Sequence, residues 1–405
     1  MVMNRIVVVG GSVAGLRAVE TLRLEGFEGA VTLVCGEPHL PYDRPPLTKQ
    51  ILTGEINAEQ LCYRDHQWFE RNAVDLCLGT PASALDISTG RVHLGSNSIP
   101  FDGLIVATGA RPKSFSPRSS LRGIFTLRTV DDALAIKERM LPGVRMILVG
   151  AGFIGSEIAS SAAACGVQVT IVELAEAAMI RAVGPQLGRI LAGLHDEFGV
   201  NVVCNARVTG FGGKGSVEAV MLDGGWELPA DIVVVGIGVD PNCEWLIGSG
   251  LRIEDGLACD RTLNAGPRNV YGAGDVVSWP NEWWGGVMRG QQWLVAADQG
   301  KHAARNLLAG PERATPFSTI PYFWTDQYGC RVQAAGRTDL GQLIAVAGGH
   351  RQRPFIGVYR HNGQLTGVVT INAPKAFAAL RTCLHDHSSF DTAWEVAVKN
   401  CPPPD

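Results

Sequence analysis

The chain has 405 residues, 46% hydrophobic and 18% charged, a globular composition with room for two or three domains and not that of a disordered protein. Lys and Arg number 35 against 39 Asp and Glu, a net charge of −4, so nothing marks the chain as a nucleic-acid binder. No apolar run approaches the ~18 residues of a membrane span, and the N-terminus enters Ile6-Val7-Val8-Val9-Gly10 without the apolar segment of a signal peptide. The ten Cys are scattered with no C-x-x-C spacing, which argues against a zinc ribbon, an iron–sulfur cluster and a CxxC redox centre. The expectation is a cytoplasmic enzyme with reduced thiols and no metal site.

In chain order, residues 5–15 read RIVVVGGSVAG: a β-branched run, a Gly-rich turn, then a helical pattern. A second apolar run, Val31-Thr32-Leu33-Val34, closes on Glu37. Residues 104–110, LIVATGA, read as a buried strand ending in a small-residue turn. The pattern of 5–15 then returns at 145–155 as RMILVGAGFIG, followed by Val169-Thr170-Ile171-Val172 and Glu173. These are two βαβ units of dinucleotide-binding design. The first Gly makes the turn, the middle position lets backbone approach a pyrophosphate, and the last lets helix pack on strand. The pyrophosphate then sits at the positive end of the helix. Ser12 stands at the middle position of the first turn, where its Cβ and hydroxyl lengthen the approach. The second turn, Gly150-Ala151-Gly152-Phe153-Ile154-Gly155, has the full pattern.

Further on, Asn269-Val270-Tyr271-Gly272-Ala273-Gly274-Asp275 reads as a strand ending in Gly-Asp. Such an acid can bond sugar hydroxyls at the carboxyl end of a strand. Taken alone, it is more simply a helix N-cap. Linkers are expected near 113–125 (Pro112, Pro117), near 240–245 and near 310–321. After 321 the runs 355–359 and 365–369 suggest an antiparallel hairpin layer, and 402–405 a frayed tail. The fold class is therefore α/β: two Rossmann-like dinucleotide-binding domains plus a C-terminal α+β domain. The expected divisions are 1–113 with 243–320, 114–242, and 321–405.

Seven segments together resemble the FAD-dependent, NADH-using ferredoxin reductases of bacterial oxygenase systems, which have the glutathione-reductase fold. They are the turn at 10–15, PYDRPPLTK at 41–49, ATGARP at 107–112, GAGFIGSE at 150–157, GIGVDPN at 236–242, YGAGDV at 271–276 and PYFWTDQYG at 321–329. The resemblance runs from about residue 4 to about 385 and implies residue roles. Gly10, Ser12, Val13, Ala14 and Gly15 would hold the FAD pyrophosphate and Glu37 the adenosine ribose. Ala82 would touch adenine through its backbone. Thr108, Gly109, Gly238 and Gly274 fall in the family's small-residue turns at the cofactors. Arg44 falls in the family's R-P-P-L-[ST]-K stretch; Arg128 would meet the flavin-side phosphates and Asp275 the ribityl chain. Lys49 would lie beside the flavin, with Trp293 and Trp324 lining the isoalloxazine. Gly150, Gly152, Phe153, Ile154 and Gly155 would hold NADH, with Glu157 toward the nicotinamide and Glu173 on the adenosine ribose. Lys49, Glu157 and Trp324 would serve the chemistry directly. From physics alone, an acid at 173 favours a free 2′-hydroxyl over a 2′-phosphate, hence NADH over NADPH. The chain departs from the family at Ser12 and at Gln291, where the family often has Glu.

The implied reaction is hydride transfer from NADH to FAD, then single-electron delivery to an acidic [2Fe–2S] ferredoxin feeding a cytochrome P450 or Rieske-type oxygenase. The enzyme would be a monomer or weak dimer, with no nucleic acid or membrane partner. Disulfide relay is disfavoured, because PYDRPPLTK carries no Cys. Residues 281–365 carry nine Lys or Arg against five acids, which suits docking of an acidic partner. The alternatives are another acceptor (rubredoxin or oxygen) and an NADH-sensing protein of apoptosis-inducing-factor type.

Overall fold

In the computed structural model, residues 3–115, 119–267, 269–348 and 352–401 are described. Pro117 of the expected linker, Arg351 of the basic stretch and the tail 402–405 lie outside them. The chain falls into two compact units. One comprises Met1–Asp43, Glu59–Arg111 and Val239–Pro321; the other Arg44–Ala58, Pro112–Gly238 and Tyr322–Asp405.

The first unit is built on a five-stranded parallel sheet in the order Val270–Gly272, Gly103–Val106, Arg5–Val9, Ala30–Val34, Val74–Cys77. These strands are near-continuous apolar runs because both faces of the central strands are covered: Ile6, Val8, Leu33, Leu104 and Ile105 are all at 0% exposure. Helix Val13–Leu24 follows the first strand, and helix Trp293–Ala309 packs on it. The crossing is close enough that a Cβ on Gly300 would lie 2.1 Å from the Ala14 carbonyl oxygen. Two small sheets complete the unit: the antiparallel Ala84–Asp86, Arg91–Leu94 and Asn97–Pro100, and a four-stranded sheet of Ile253–Glu254, Gly256–Ala258, Val277–Asn281 and Gly286–Arg289.

The second unit repeats the parallel design. Its sheet runs Asn201–Val203, Gln168–Val172, Arg145–Val149, Ile232–Val235, Ile124–Phe125, and helix Phe153–Ala164 follows its central strand. The C-terminal segment forms a five-stranded antiparallel sheet in the order Tyr322–Gln327, Cys330–Gly336, Gln364–Ile371, Phe355–His361, Gln342–Ala347. Helices Pro374–His385 and Phe390–Lys399 follow it. The expected hairpin of 355–359 with 365–369 is the pair Phe355–His361 and Gln364–Ile371. This sheet shares a core with helix Ile180–Glu197. Val183, Leu187, Leu191 and Leu194 pack with Val332, Phe355, Val369 and Ile371, and the Tyr359 hydroxyl donates to the Val183 carbonyl at 2.6 Å. That helix is broken at Gly184, whose φ of 73° precedes Pro185; proline cannot donate the helical bond there.

The helix N-cap reading of Gly274-Asp275 is corrected. The segment turns directly into strand Val277–Asn281, closed by the Val277 amide on the Gly274 carbonyl at 2.9 Å. Gly274 takes φ +81° there, a conformation glycine adopts without steric cost. The aromatic stretch Trp283-Trp284 lies in the turn between the paired strands Val277–Asn281 and Gly286–Arg289.

Candidate functional site

In the first unit, the expected cofactor residues gather at the carboxyl edge of one parallel sheet. Gly10 follows the first strand at φ +124°; a Cβ there would meet the Ala107 carbonyl oxygen at 2.0 Å. Gly15 packs so closely that its Cβ would meet the Gly10 oxygen at 1.8 Å. Both glycines are therefore required by the tight turn. Helix Val13–Leu24 begins at Ser12 with no side-chain cap hydrogen bond. Val13, Ala14 and Gly15 are buried in its first turn, and the start of a helix is a natural place for an anionic group. Glu37, beyond the second strand, accepts from the Tyr42 hydroxyl at 2.5 Å. Ala82 is half-buried against the core. Thr108 and Gly109 are pinned by Asn242: Thr108 Oγ1 donates to the Asn242 carbonyl at 2.8 Å, and Asn242 Nδ2 returns a bond to the Thr108 carbonyl at 2.9 Å. The Gly274 amide donates to Gln299 Oε1 at 2.8 Å, and the Asp275 carbonyl accepts from Arg289 at 3.4 Å. Trp293 opens its helix and is fixed by Asp43, from PYDRPPLTK, and by Tyr63, which carries no local sequence signal. Its Nε1 donates to Asp43 Oδ1 at 2.9 Å and lies 3.1 Å from the Tyr63 hydroxyl, which itself donates to Asp43 Oδ1 at 2.6 Å. Burial, then the hydrogen bond to Asp43, pushes the Tyr63 phenol strongly up.

In the second unit, Gly150 takes φ +103°, with the Gly236 oxygen 2.5 Å from a built Cβ. Gly155 repeats the contact of its counterpart, 2.2 Å from the Gly150 oxygen. Gly152 caps helix Phe153–Ala164 through backbone alone, and a Cβ on it would meet nothing within 4 Å. Open space therefore lies before the helix start. Phe153, in the first turn, packs against Phe323 with ring centroids 4.6 Å apart, and Ile154 is half-buried beside it. Glu173 accepts from the amides of Ala151 at 2.7 Å and Ala175 at 2.8 Å, one on each carboxylate oxygen. The acid expected at the ribose is thus held against the Gly-rich turn. Gly238, at φ +112°, accepts from the Lys113 amide at 2.9 Å.

The same unit brings together Lys49 and Glu157, placed 108 residues apart in sequence. Lys49 Nζ lies 2.8 Å from Glu157 Oε2, with the two side chains 16% and 10% exposed. Thr48 Oγ1 donates to the same oxygen at 2.5 Å. Thr325 Oγ1 donates to Glu157 Oε1 at 2.9 Å, joined by the Asp326 amide at 3.3 Å. Trp324, next to Thr325, is half-buried and stacks on Tyr322 with centroids 5.9 Å apart. Arg44 donates to the Arg128 carbonyl, and the Arg128 amide donates to Asp132 Oδ2 at 2.9 Å, beside the capping box that starts helix Val130–Lys137.

The residues present fit two dinucleotides, one per unit. Each parallel sheet ends in a Gly-rich turn feeding a helix without a side-chain cap, with an acid after the next strand. Burial pushes the Cys35 thiol up to about 12 and the Cys243 thiol up to about 11, the opposite of a reactive thiol. Among the described residues, no His, Cys, Asp or Glu group could hold a metal, and no helix is long and apolar enough to cross a membrane.

The model of the pyridine nucleotide-disulphide oxidoreductases matches residues 4–300. The chain belongs to this family. Residues 322–397 match the model of the reductase C-terminal domain. The chain is 34% identical to rhodocoxin reductase of Rhodococcus erythropolis over 382 residues, 94% of this chain and 89% of that protein. It is 32% identical to the ferredoxin–NAD(+) reductase subunit of the benzene 1,2-dioxygenase system of Pseudomonas putida over 384 residues, 93% and 91% of the two chains. Among solved structures, the ferredoxin reductase for the CYP199A2 system from Rhodopseudomonas palustris superposes with a TM-score of 0.92 at 30% identity, covering 98% of each chain. As a member of this family the chain is an oxidoreductase using FAD and NADH.

Proposed function

We propose that this protein is an NADH:ferredoxin oxidoreductase that supplies electrons to a cytochrome P450 or a Rieske-type oxygenase through an acidic [2Fe–2S] ferredoxin. The observation that carries the reading is the pair of Gly-rich turns, each opening a helix at the carboxyl edge of its own parallel sheet, in a chain whose PYDRPPLTK stretch carries no Cys. FAD, when bound, accepts two electrons as hydride from NADH and gives them up one at a time. The protein's own residues bind and orient. Gly10, Ser12, Val13, Ala14 and Gly15 present backbone to the FAD pyrophosphate, and Glu37 takes the ribose. Ala82, Thr108, Gly109, Gly274 and Asp275 line the rest of that edge. Gly150, Gly152, Phe153, Ile154 and Gly155 do the same for NADH, with Glu173 on its ribose and Gly238 at the neighbouring strand end. Arg44 and Arg128 supply cationic charge toward phosphate. Lys49 provides a positive charge for the reduced flavin, with Glu157 as its counter-ion, and Trp293 and Trp324 exclude water from the ring.

In this reading residues 1–113 with 243–320 bind FAD, 114–242 bind NADH, and 321–405 form the C-terminal domain of a cytoplasmic monomer or weak dimer. The basic stretch gives modest support to an acidic partner, because much of its charge is already matched. Arg289 pairs with Asp255, Lys301 with Asp298, Arg305 with Glu25, Arg331 with Asp326, Arg337 with Asp339 and Arg353 with Glu197. Anaerobic titration with NADH, read in the visible spectrum, followed by a [2Fe–2S] ferredoxin, tests the path. Bleaching of the flavin band and its return on adding ferredoxin is the expected result. Bleaching without return would replace ferredoxin by another acceptor, and no flavin band after adding FAD would overturn the reading.

A further inference from the structure

We propose that Thr325 and Thr48 are positioning residues for flavin reduction, their hydroxyls fixing the Glu157 carboxylate and, through it, the Lys49 ammonium. The inference rests on the reading above that Lys49 serves the flavin. Glu157 lies on helix Phe153–Ala164 at 8% exposure. A desolvated ion pair repays its cost only when the remaining lone pairs are also bonded. Here the bonding is divided between the oxygens: Lys49 and Thr48 on Oε2, Thr325 and the Asp326 amide on Oε1. A lone lysine on a flexible glutamate would swing with it. Two hydroxyls from separate segments, one on each oxygen, leave the carboxylate a single orientation.

Both threonines are themselves held. Thr325 is at 0% exposure, lies opposite Val332 in the C-terminal sheet, and is stiff at χ1 because it is β-branched. Gln327 Nε2 donates to its Oγ1 at 3.1 Å. The hydroxyl therefore accepts from Gln327 and spends its one proton on Glu157, giving a directed chain Gln327 to Thr325 to Glu157. Thr48 is tied to the helix that carries Glu157, because Ser161 Oγ donates to the Thr48 carbonyl at 2.7 Å. The C-terminal sheet, whose strand pairing otherwise looks only structural, thereby reaches the charged pair.

The test uses Thr325→Val, which removes the hydroxyl at nearly constant shape, and Thr325→Ser, which keeps it. Two quantities are read. One is the rate at which Lys49 of the apoprotein is acylated by an N-hydroxysuccinimide ester, followed by peptide mass spectrometry. The other, in the FAD-loaded enzyme, is the limiting rate of flavin bleaching at saturating NADH, separated from the NADH concentration giving half that rate. Thr325→Val is expected to speed Lys49 labelling several-fold. It should also lower the limiting rate about tenfold, the size of one charge-assisted hydrogen bond, with FAD content and half-saturation unchanged. Thr325→Ser should restore both. Unchanged labelling and limiting rate in Thr325→Val, or no rescue by Ser, overturns the proposal. Thr48→Val is measured in the same way and decides the matter if the Thr325 variant does not fold. Failure of NADH to bleach the wild-type flavin would overturn the functional reading instead, and the labelling of the apoprotein would still decide the positioning role.

Discussion

Replacing Gly300 by Ala should damage FAD binding without touching a cofactor contact. Gly300 lies in helix Trp293–Ala309 where that helix crosses the first turn of Val13–Leu24. A Cβ there would stand 2.1 Å from the Ala14 oxygen, 3.0 Å from its carbonyl carbon and 3.2 Å from its Cα. Carbon–oxygen contact ordinarily begins at about 3.3 Å, so the helices must part by roughly 1 Å at the turn that presents Ala14 and Gly15. The obstacle is backbone, which cannot rotate aside as a side chain does. Overpacking of this kind costs about 1–3 kcal/mol, or about 2–12 °C in the melting midpoint of a unit of 150–250 residues. Melting of the apoprotein reads the packing cost. Quenching of FAD fluorescence on titration reads the displaced turn, where we expect affinity to fall at least about tenfold, or about 1.4 kcal/mol. An alanine variant with wild-type midpoint and wild-type FAD affinity would refute the close crossing and the role given to that turn.

Three other outcomes follow from the same geometry. Gly152→Ser places its side chain in open space, so the melting midpoint should hold while NADH affinity drops about tenfold; unchanged affinity would remove Gly152 from the nucleotide site. Burial of His195, whose ring nitrogens meet Tyr328 at 2.8 Å and Ser156 at 3.3 Å, lowers its pKa to about 4. The unfolded chain therefore binds a proton that the folded one refuses between about pH 6.5 and 4. Stability should fall across that window by up to about 3 kcal/mol as pH drops, and His195→Gln should flatten the slope in urea melts, whereas parallel slopes would contradict it. Glu173→Arg should shift kcat/KM toward NADPH at least about tenfold while weakening use of NADH, because the Ala151 and Ala175 amides lose their acceptor; an unchanged cofactor ratio would end the role given to Glu173.

The parallel sheets and their turns were legible because local chemistry dictates them. Gly10, Gly15, Gly150 and Gly155 stand where a Cβ would strike backbone within 2.5 Å, so the Gly spacing carried the geometry. The acids at 37 and 173 were legible by position, but not the bonds that orient them. Lys49 alone reads as a surface lysine after a Pro-Pro turn, and Glu157 as an acid near a helix start. Their pairing depends on tertiary packing across 108 residues, which no local pattern encodes. Thr48, Thr325 and Asp43 lay inside motifs already singled out, beside more conspicuous neighbours. Tyr63 and Gln299 had no signal, because a tyrosine in an irregular loop and a glutamine in a helix are unremarkable until their partners are known. Gly274-Asp275 misled as a cap because the residue types that start helices also serve tight turns into strands.

The shared core of helix Ile180–Glu197 and the C-terminal sheet bears on how this architecture can be recombined. Residues 322–397 match a family model of their own and invite treatment as a cassette to be exchanged between relatives. Cutting before Tyr322 would strip the cover from Leu187, Leu191 and Leu194, orphan the Val183 carbonyl bonded by Tyr359 and take Thr325 from Glu157. A functional chimera must therefore transplant the helix and the sheet as one piece, and its junctions belong before residue 180 rather than at the apparent module edge.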